Sequence, residues 1–158
     1  MEMEKGEAIA LVKDNGEAFE RLPKELQNDK EVVLAAVIQD AYALRFASKK
    51  LQNNKEVVLA AVTQVGDALQ FASKELQSDK ELILAAVTPY GGQYDFEYAS
   101  KELHSNKEFV LAVVTQCGNA LKHSSEELQS DKEVALPVVT QDGCDMLQKN
   151  YKVIRKWY

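Results

Sequence analysis

Residues 68–88 read ALQFASKELQSDKELILAAVT, and variants of that string return along the whole chain. Aligned on Asp79-Lys80-Glu81, the same triplet type stands at Asp29-Lys30-Glu31, Asn54-Lys55-Glu56, Asn106-Lys107-Glu108 and Asp131-Lys132-Glu133, with offsets along the chain of 25, 25, 27 and 25. Leu34, Leu59, Leu84, Leu111 and Leu136 keep step with the triplets, as do Val37, Val62, Val87, Val114 and Val139. Five copies in one register make internal repetition the organising fact of the sequence.

Each copy opens as a helix. Asn28, Asn53, Ser78, Ser105 and Ser130 precede the triplets and are N-cap residue types, whose side-chain oxygen satisfies an orphan backbone donor. Glu31, Glu56, Glu81, Glu108 and Glu133 follow at capping-box spacing. A stretch such as VVLAAV then gives roughly three apolar turns, which predicts burial on most of the helix's girth. Gly66, Gly118 and Gly143 are expected to close this helix. A second helix follows, with Ala43, Leu44, Ala47 and Leu51 on one face and Ala68, Leu69, Ala72 and Leu76 in the next copy. Ser48, Ser73, Ser100 and Ser125 stand before its last turn, and Pro23 takes their place in the first copy. Proline fits a helix start but not an interior, so a break or tightened turn is expected there.

One unit cannot fold alone. Ordering its backbone costs on the order of 25 to 50 kcal/mol at about 1–2 per residue, while each of its few apolar side chains returns only about 1.5–3 kcal/mol. Neighbouring copies must supply the missing burial, the logic of a repeat solenoid. At the start, Ile9, Val12, Ala18 and Phe19 fall under Leu34, Val37, Ala43 and Leu44, and at the end Met146 and Val153 take the two leucine positions. Pro137 is expected to interrupt or kink the fifth copy's first helix, at a cost of about 3 kcal/mol. The expected fold is therefore all-α: an α-solenoid of about five 25-residue helix-turn-helix repeats with degenerate capping half-repeats. It forms one domain over 1–158, with units near 3–27, 28–52, 53–77, 78–104, 105–129 and 130–158.

With its ALxxAS and DKExxLxAV strings, the chain resembles the repeat family called domain of unknown function 4116, from about Gly16 to Val153. It departs from that pattern at both termini and at 89–98, where two residues are inserted. Repeats of this kind occur in protists, large DNA viruses and some intracellular bacteria. The resemblance implies a fold and an intracellular setting, and a viral, parasite or effector protein engaging a host or competitor protein. It implies no activity, cofactor or catalytic residue.

The residues agree on that last point. No phosphate loop, dinucleotide fingerprint, HExxH or GxSxG string is present, so no catalytic residue, metal ligand or cofactor is assigned. His104 takes the slot of Gln27, Gln52, Gln77 and Gln129, which reads as an exposed polar position. His123 takes the slot of Phe46, Phe71 and Tyr98 and reads as half-buried. A nucleophile pair of Cys117 and His123 lacks a third orienting group, and an enzyme or enzyme accessory domain is the minor alternative. A net charge of −6 disfavours nucleic acid. Apolar runs of about seven residues are too short to span a membrane. The opening MEMEKGEA contains no secretory signal, and two cysteines make no disulfide framework, so a reducing, cytoplasmic location is expected.

Positions that vary between copies are the candidates for binding. Asp40, Val65 and Tyr90 follow the first helix of successive copies, while Tyr42, Asp67, Tyr94 and Asn119 begin the second. The third copy's TPYGGQYDFEY makes Tyr90 and Tyr94 candidate interface anchors, with Phe96 and Tyr98 in the core. The C-terminal KNYKVIRKWY carries +4 against −10 for the remainder and offers Tyr151 and Trp157, either as a sealing helix or as a contact for an anionic partner. The sequence thus points to a non-catalytic protein–protein interaction module presenting a curved acidic surface. A structural role, with copies associating as a homo-oligomer through the solenoid ends, is the alternative.

Overall fold

The computed structural model describes the backbone of residues 3–87 and 96–141. Every regular element among the described residues is helical, and no described helix is long and apolar enough to cross a membrane. The chain divides into two compact units, Met1–Ala86 and Val87–Tyr158.

The first unit holds α1 (Lys5–Asp14), α2 (Lys24–Gln27), α3 (Lys30–Gln39), α4 (Lys49–Gln52), α5 (Lys55–Val62) and α6 (Lys80–Ala86), with 3-10 helices at Gly16–Arg21, Ala41–Phe46, Gly66–Phe71 and Leu76–Ser78. The second holds α7 (Lys101–His104), α8 (Lys107–Gln116), α9 (Glu126–Gln129) and α10 (Lys132–Gln141), with a 3-10 helix at Gly118–His123. The register lysine begins α1, α3, α5, α6, α8 and α10. Within the first unit α1 packs on α3, α3 on α5 and α5 on α6; within the second, α8 packs on α10.

The expected second helix is two pieces. After the long helix the chain passes through one extended residue, with φ near −143° at Asn15 and Asp40, −141° at Val65 and −140° at Cys117. Six residues of 3-10 helix follow. An extended pair such as Ala47-Ser48 then breaks the helix at the predicted serine, and one α-turn completes the repeat. Gly66 and Gly118 therefore open 3-10 helices instead of closing α-helices. Close approach explains glycine in the first copy, where a Cβ on Gly16 would lie 3.2 Å from Gln39 Cβ and 3.3 Å from Asp40 Cβ.

The N-caps fall one residue later than the sequence suggested. Asp29 accepts from the Glu31 and Val32 amides, and Asn54 and Asn106 accept from those of Val57 and Phe109. Asn28 and Asn53 join repeats instead, accepting from the Ser48 and Ser73 hydroxyls. The same seam carries backbone bonds, in which the Ser48 amide donates to Gln27 O (3.2 Å), Ser73 to Gln52 O (2.9 Å) and Ser125 to His104 O (2.8 Å).

The buried arc of α3 is Val32, Val33, Ala36 and Val37, with equivalents at Val57, Val58, Ala61 and Val62. At about 100° per residue Leu34 lies roughly opposite the centre of that arc. It is half-buried, as are Leu59, Leu84 and Leu111, and Leu136 is 62% exposed, so the recurring leucine is not the deepest core position. Phe19, Leu44 and Leu69 of the 3-10 helices and Phe96 of the corresponding turn are the deep ones. Pro137 does not interrupt its helix, since α10 continues through it to Gln141. Its fixed φ suits a helix, and a single ladder bond is lost.

Candidate functional site

The end of a 3-10 helix leaves carbonyls with spare acceptor capacity: those of Phe19, Leu44 and Leu69 take one amide each, from Leu22, Ala47 and Ala72. The glutamine slot, read from sequence as exposed, satisfies them from inside. Gln27, only 2% exposed, donates from Nε2 to Phe19 O at 3.1 Å and Glu20 O at 3.0 Å. Gln52 donates to Leu44 O (3.1 Å) and Arg45 O (3.2 Å), and Gln77 to Leu69 O (3.0 Å). Gln129 repeats the bond in the second unit, to Lys122 O at 3.0 Å. His104 substitutes with a single contact, Nε2 to Phe96 O at 2.7 Å, and sets its ring edge-on to Phe96. The other end of each amide accepts a lysine: Lys24 at 2.7 Å, Lys49 at 2.9 Å and Lys74 at 3.0 Å.

A second lysine row is neutralised by the following repeat. Lys5 contacts Asp29 and Glu31, both at 3.0 Å. Lys30 pairs with Glu56. Lys55 reaches Asp79 (2.7 Å) and Glu81 (2.9 Å), and Lys107 reaches Asp131 and Glu133, both at 2.7 Å. Partial burial pushes the Asp29 and Asp79 carboxyls up. The hydrogen bonds from Lys5 and Lys55 and from the capped amides outweigh it, and both carboxyls stay below the usual range. Lys107 chiefly lowers Asp131. The lysines move up in turn, Lys5 through Glu31 and then Asp29, Lys55 through Asp79 and then Glu81.

The candidate binding positions of the first unit lie along its 3-10 helices. Asp40 caps one of them, accepting from the Tyr42 amide at 2.9 Å, so its carboxylate is engaged structurally. Tyr42 is 37% exposed and meets Phe71 of the next repeat edge-on, with ring centroids 6.2 Å apart. Val65 and Asp67 are half-buried at the start of the following 3-10 helix. Two grooves run beside these residues. One, of about 670 Å³, is bordered by Leu11, Arg21, Asp40 and Phe46. The other, of about 610 Å³, is bordered by Arg45, Lys49, Phe71 and Lys74. Asn119 is half-buried in the second unit, beside buried Cys117. His123 is half-buried as expected, and Phe96 is fully buried. Tyr90, Tyr94, Cys144, Tyr151 and Trp157 lie outside the described residues. Among the described residues no group of three or more His, Cys, Asp or Glu side chains could hold a metal ion.

The family described as Domain of unknown function (DUF4116) matches the chain at residues 8–52, 54–104, 92–129 and 106–152. The chain belongs to the DUF4116 family. Its repeated, overlapping matches are consistent with a repeat family. No curated protein and no solved structure matches the chain. The groove of this DUF4116 protein bordered by Arg45 and Lys49 is nearly silent in the sequence, because Lys49 recurs as Lys24, Lys74 and Lys101 and only the Arg45 position varies. Glu20, Gln70, Glu97 and Lys122 occupy the Arg45 position, and that variation was the available signal.

Proposed function

We propose that the chain is a non-catalytic protein-interaction module, an α-solenoid whose varied 3-10 edge contacts another protein. The observation that carries the reading is the division of labour within each repeat. Recurring valines, glutamines and capping residues are engaged in packing and helix ends, while Tyr42 and Arg45 vary between copies and remain exposed, Arg45 at the border of a groove. Exposed tyrosine and arginine are favoured anchors at protein interfaces. The net charge of −6 gives the module an acidic face and weakens any competing attraction to nucleic acid. A reducing, intracellular setting fits its two cysteines, which are not spaced as a disulfide framework.

The test is affinity capture from the cell of origin with the immobilised chain, followed by mass spectrometry and reconstitution with the purified partner. Tyr42→Ala should reduce capture of a stoichiometric protein while the chain stays folded, its melting temperature lower by a few degrees through loss of the edge-on contact with Phe71. Retention of no protein, together with concentration-dependent oligomers of the chain alone by light scattering, would replace this reading with self-assembly.

A further inference from the structure

The two lysine rows differ in what neutralises them. Lys5, Lys30, Lys55 and Lys107 each meet carboxylates of the following repeat. Arg45, Lys49 and Lys74, which line one groove of about 610 Å³, meet none among the described residues. Lys49 and Lys74 each donate to a neutral glutamine oxygen, and Arg45 stacks over the Phe46 ring at 4.4 Å. An ammonium has three donors, so each of these lysines keeps further donors for a ligand, while its glutamine holds it in place. The carboxylate beside this seam, Glu75, accepts from Asn53 at 3.1 Å and does not border the groove.

The groove draws on two kinds of position. Arg45 stands where other copies carry Glu20, Gln70, Glu97 and Lys122, while Lys49 and Lys74 hold a slot that is also lysine at Lys24 and Lys101. In a chain of net charge −6, three cations border a groove that no carboxylate borders among the described residues. We propose that the groove lined by Arg45, Lys49 and Lys74 seats an extended Asp/Glu-bearing segment of a protein partner. The inference rests on the interaction reading above and names the partner's chemistry.

A polypeptide fits better than a polyphosphate. Gln70 borders the groove, giving one of its two Nε2 hydrogens to Asp67 O at 3.0 Å and keeping a carbonyl oxygen able to accept from a peptide N–H, a donor that a phosphate backbone lacks. Phe71, half-buried, adds an apolar contact for the stem of a glutamate. Guanidinium and carboxylate can pair through two parallel hydrogen bonds, so Arg45 is the group that fixes register.

Fluorescence anisotropy on the full chain tests this with three labelled probes: a short Asp/Glu peptide, its Asn/Gln counterpart and a single-stranded oligonucleotide. The acidic peptide should bind, more weakly as salt rises, and the other two should not. Arg45→Glu should weaken the acidic peptide about tenfold, the usual scale for reversing one close charge pair. Lys13→Glu, the same change of net charge at an exposed site on α1, should leave binding within about twofold. Arg45→Gln repeats the test should the reversal disturb folding, as checked by circular dichroism. Equal losses at positions 45 and 13, or preference for the oligonucleotide or the neutral peptide, would overturn the groove assignment. If Arg45→Glu leaves capture of a purified partner unchanged, the assignment fails while the interaction reading stands. Failure of capture with intact peptide binding sinks that reading instead.

Discussion

A glutamine amide offers two N–H donors and one carbonyl acceptor, and Gln27, Gln52 and Gln77 use both ends. The nitrogen ties the end of a 3-10 helix and the oxygen holds a surface lysine. Gln52→Ala would take the Gln52 donor from the part-buried Arg45 carbonyl and leave the Leu44 carbonyl with the Ala47 amide alone. The expected cost is about 1–3 kcal/mol, a fall of about 2–4 °C in melting temperature per kcal/mol for a chain of this size. His104→Gln should act in the opposite sense. It replaces one contact to Phe96 O with an amide able to serve two carbonyls, and calorimetry should show a gain of about 0.5–1.5 kcal/mol. Nothing local in the sequence separates such a glutamine from an exposed one. Gln27 looks like any polar residue at the end of a short amphipathic turn, and its role depends on a carbonyl eight residues away.

Three long helices, α3, α6 and α10, begin at an aspartate that both accepts from their first amides and receives the preceding repeat's lysine. Asp29, Asp79 and Asp131 are held below the usual carboxylate range, so their stabilisation is fully present above the unfolded carboxyl pKa, about 3.9. It is lost as pH falls through the lower folded value. Lys5, Lys55 and Lys107 are raised, so their contribution is fully present below the unfolded lysine pKa, about 10.4, and disappears as pH rises through the higher folded value. Asp29→Asn keeps a cap of the kind Asn54 and Asn106 provide but removes the ion pair to Lys5. Melting curves across pH should therefore show a shallower acid limb with little change in the cap. Asp29→Ala should cost about 1 kcal/mol at every pH above that limb. The cap was legible in the triplets but stands one residue later, which puts Glu31 at the second helical position and not at the third, where a capping box needs it. Asn28 and Asp29 are both good caps by type, and the turn of α2 into α3 decides which one is used.

In the first unit α1 covers α3 with Ala8 and Val12, both fully buried. Removing residues 1–27 should expose the covered face of α3 and lower cooperativity, checked by thermal melts and gel filtration. A cooperative transition at the original temperature would show that the first repeat contributes no burial. By itself the sequence determined the period, the start of each long helix to within one residue, the break at the serine and the all-helical class. Each of these is written in residues close together along the chain, in caps, apolar spacing and proline placement. Only the tertiary structure decided that the second helix is a 3-10 segment tied down by a buried glutamine. Only there does the recurring leucine fall outside the deepest core, and only there are one row of lysines neutralised and another left facing a groove. Those outcomes depend on which carbonyl, side chain or carboxylate of a neighbouring segment comes within hydrogen-bonding reach, a distance that no periodicity in one chain encodes.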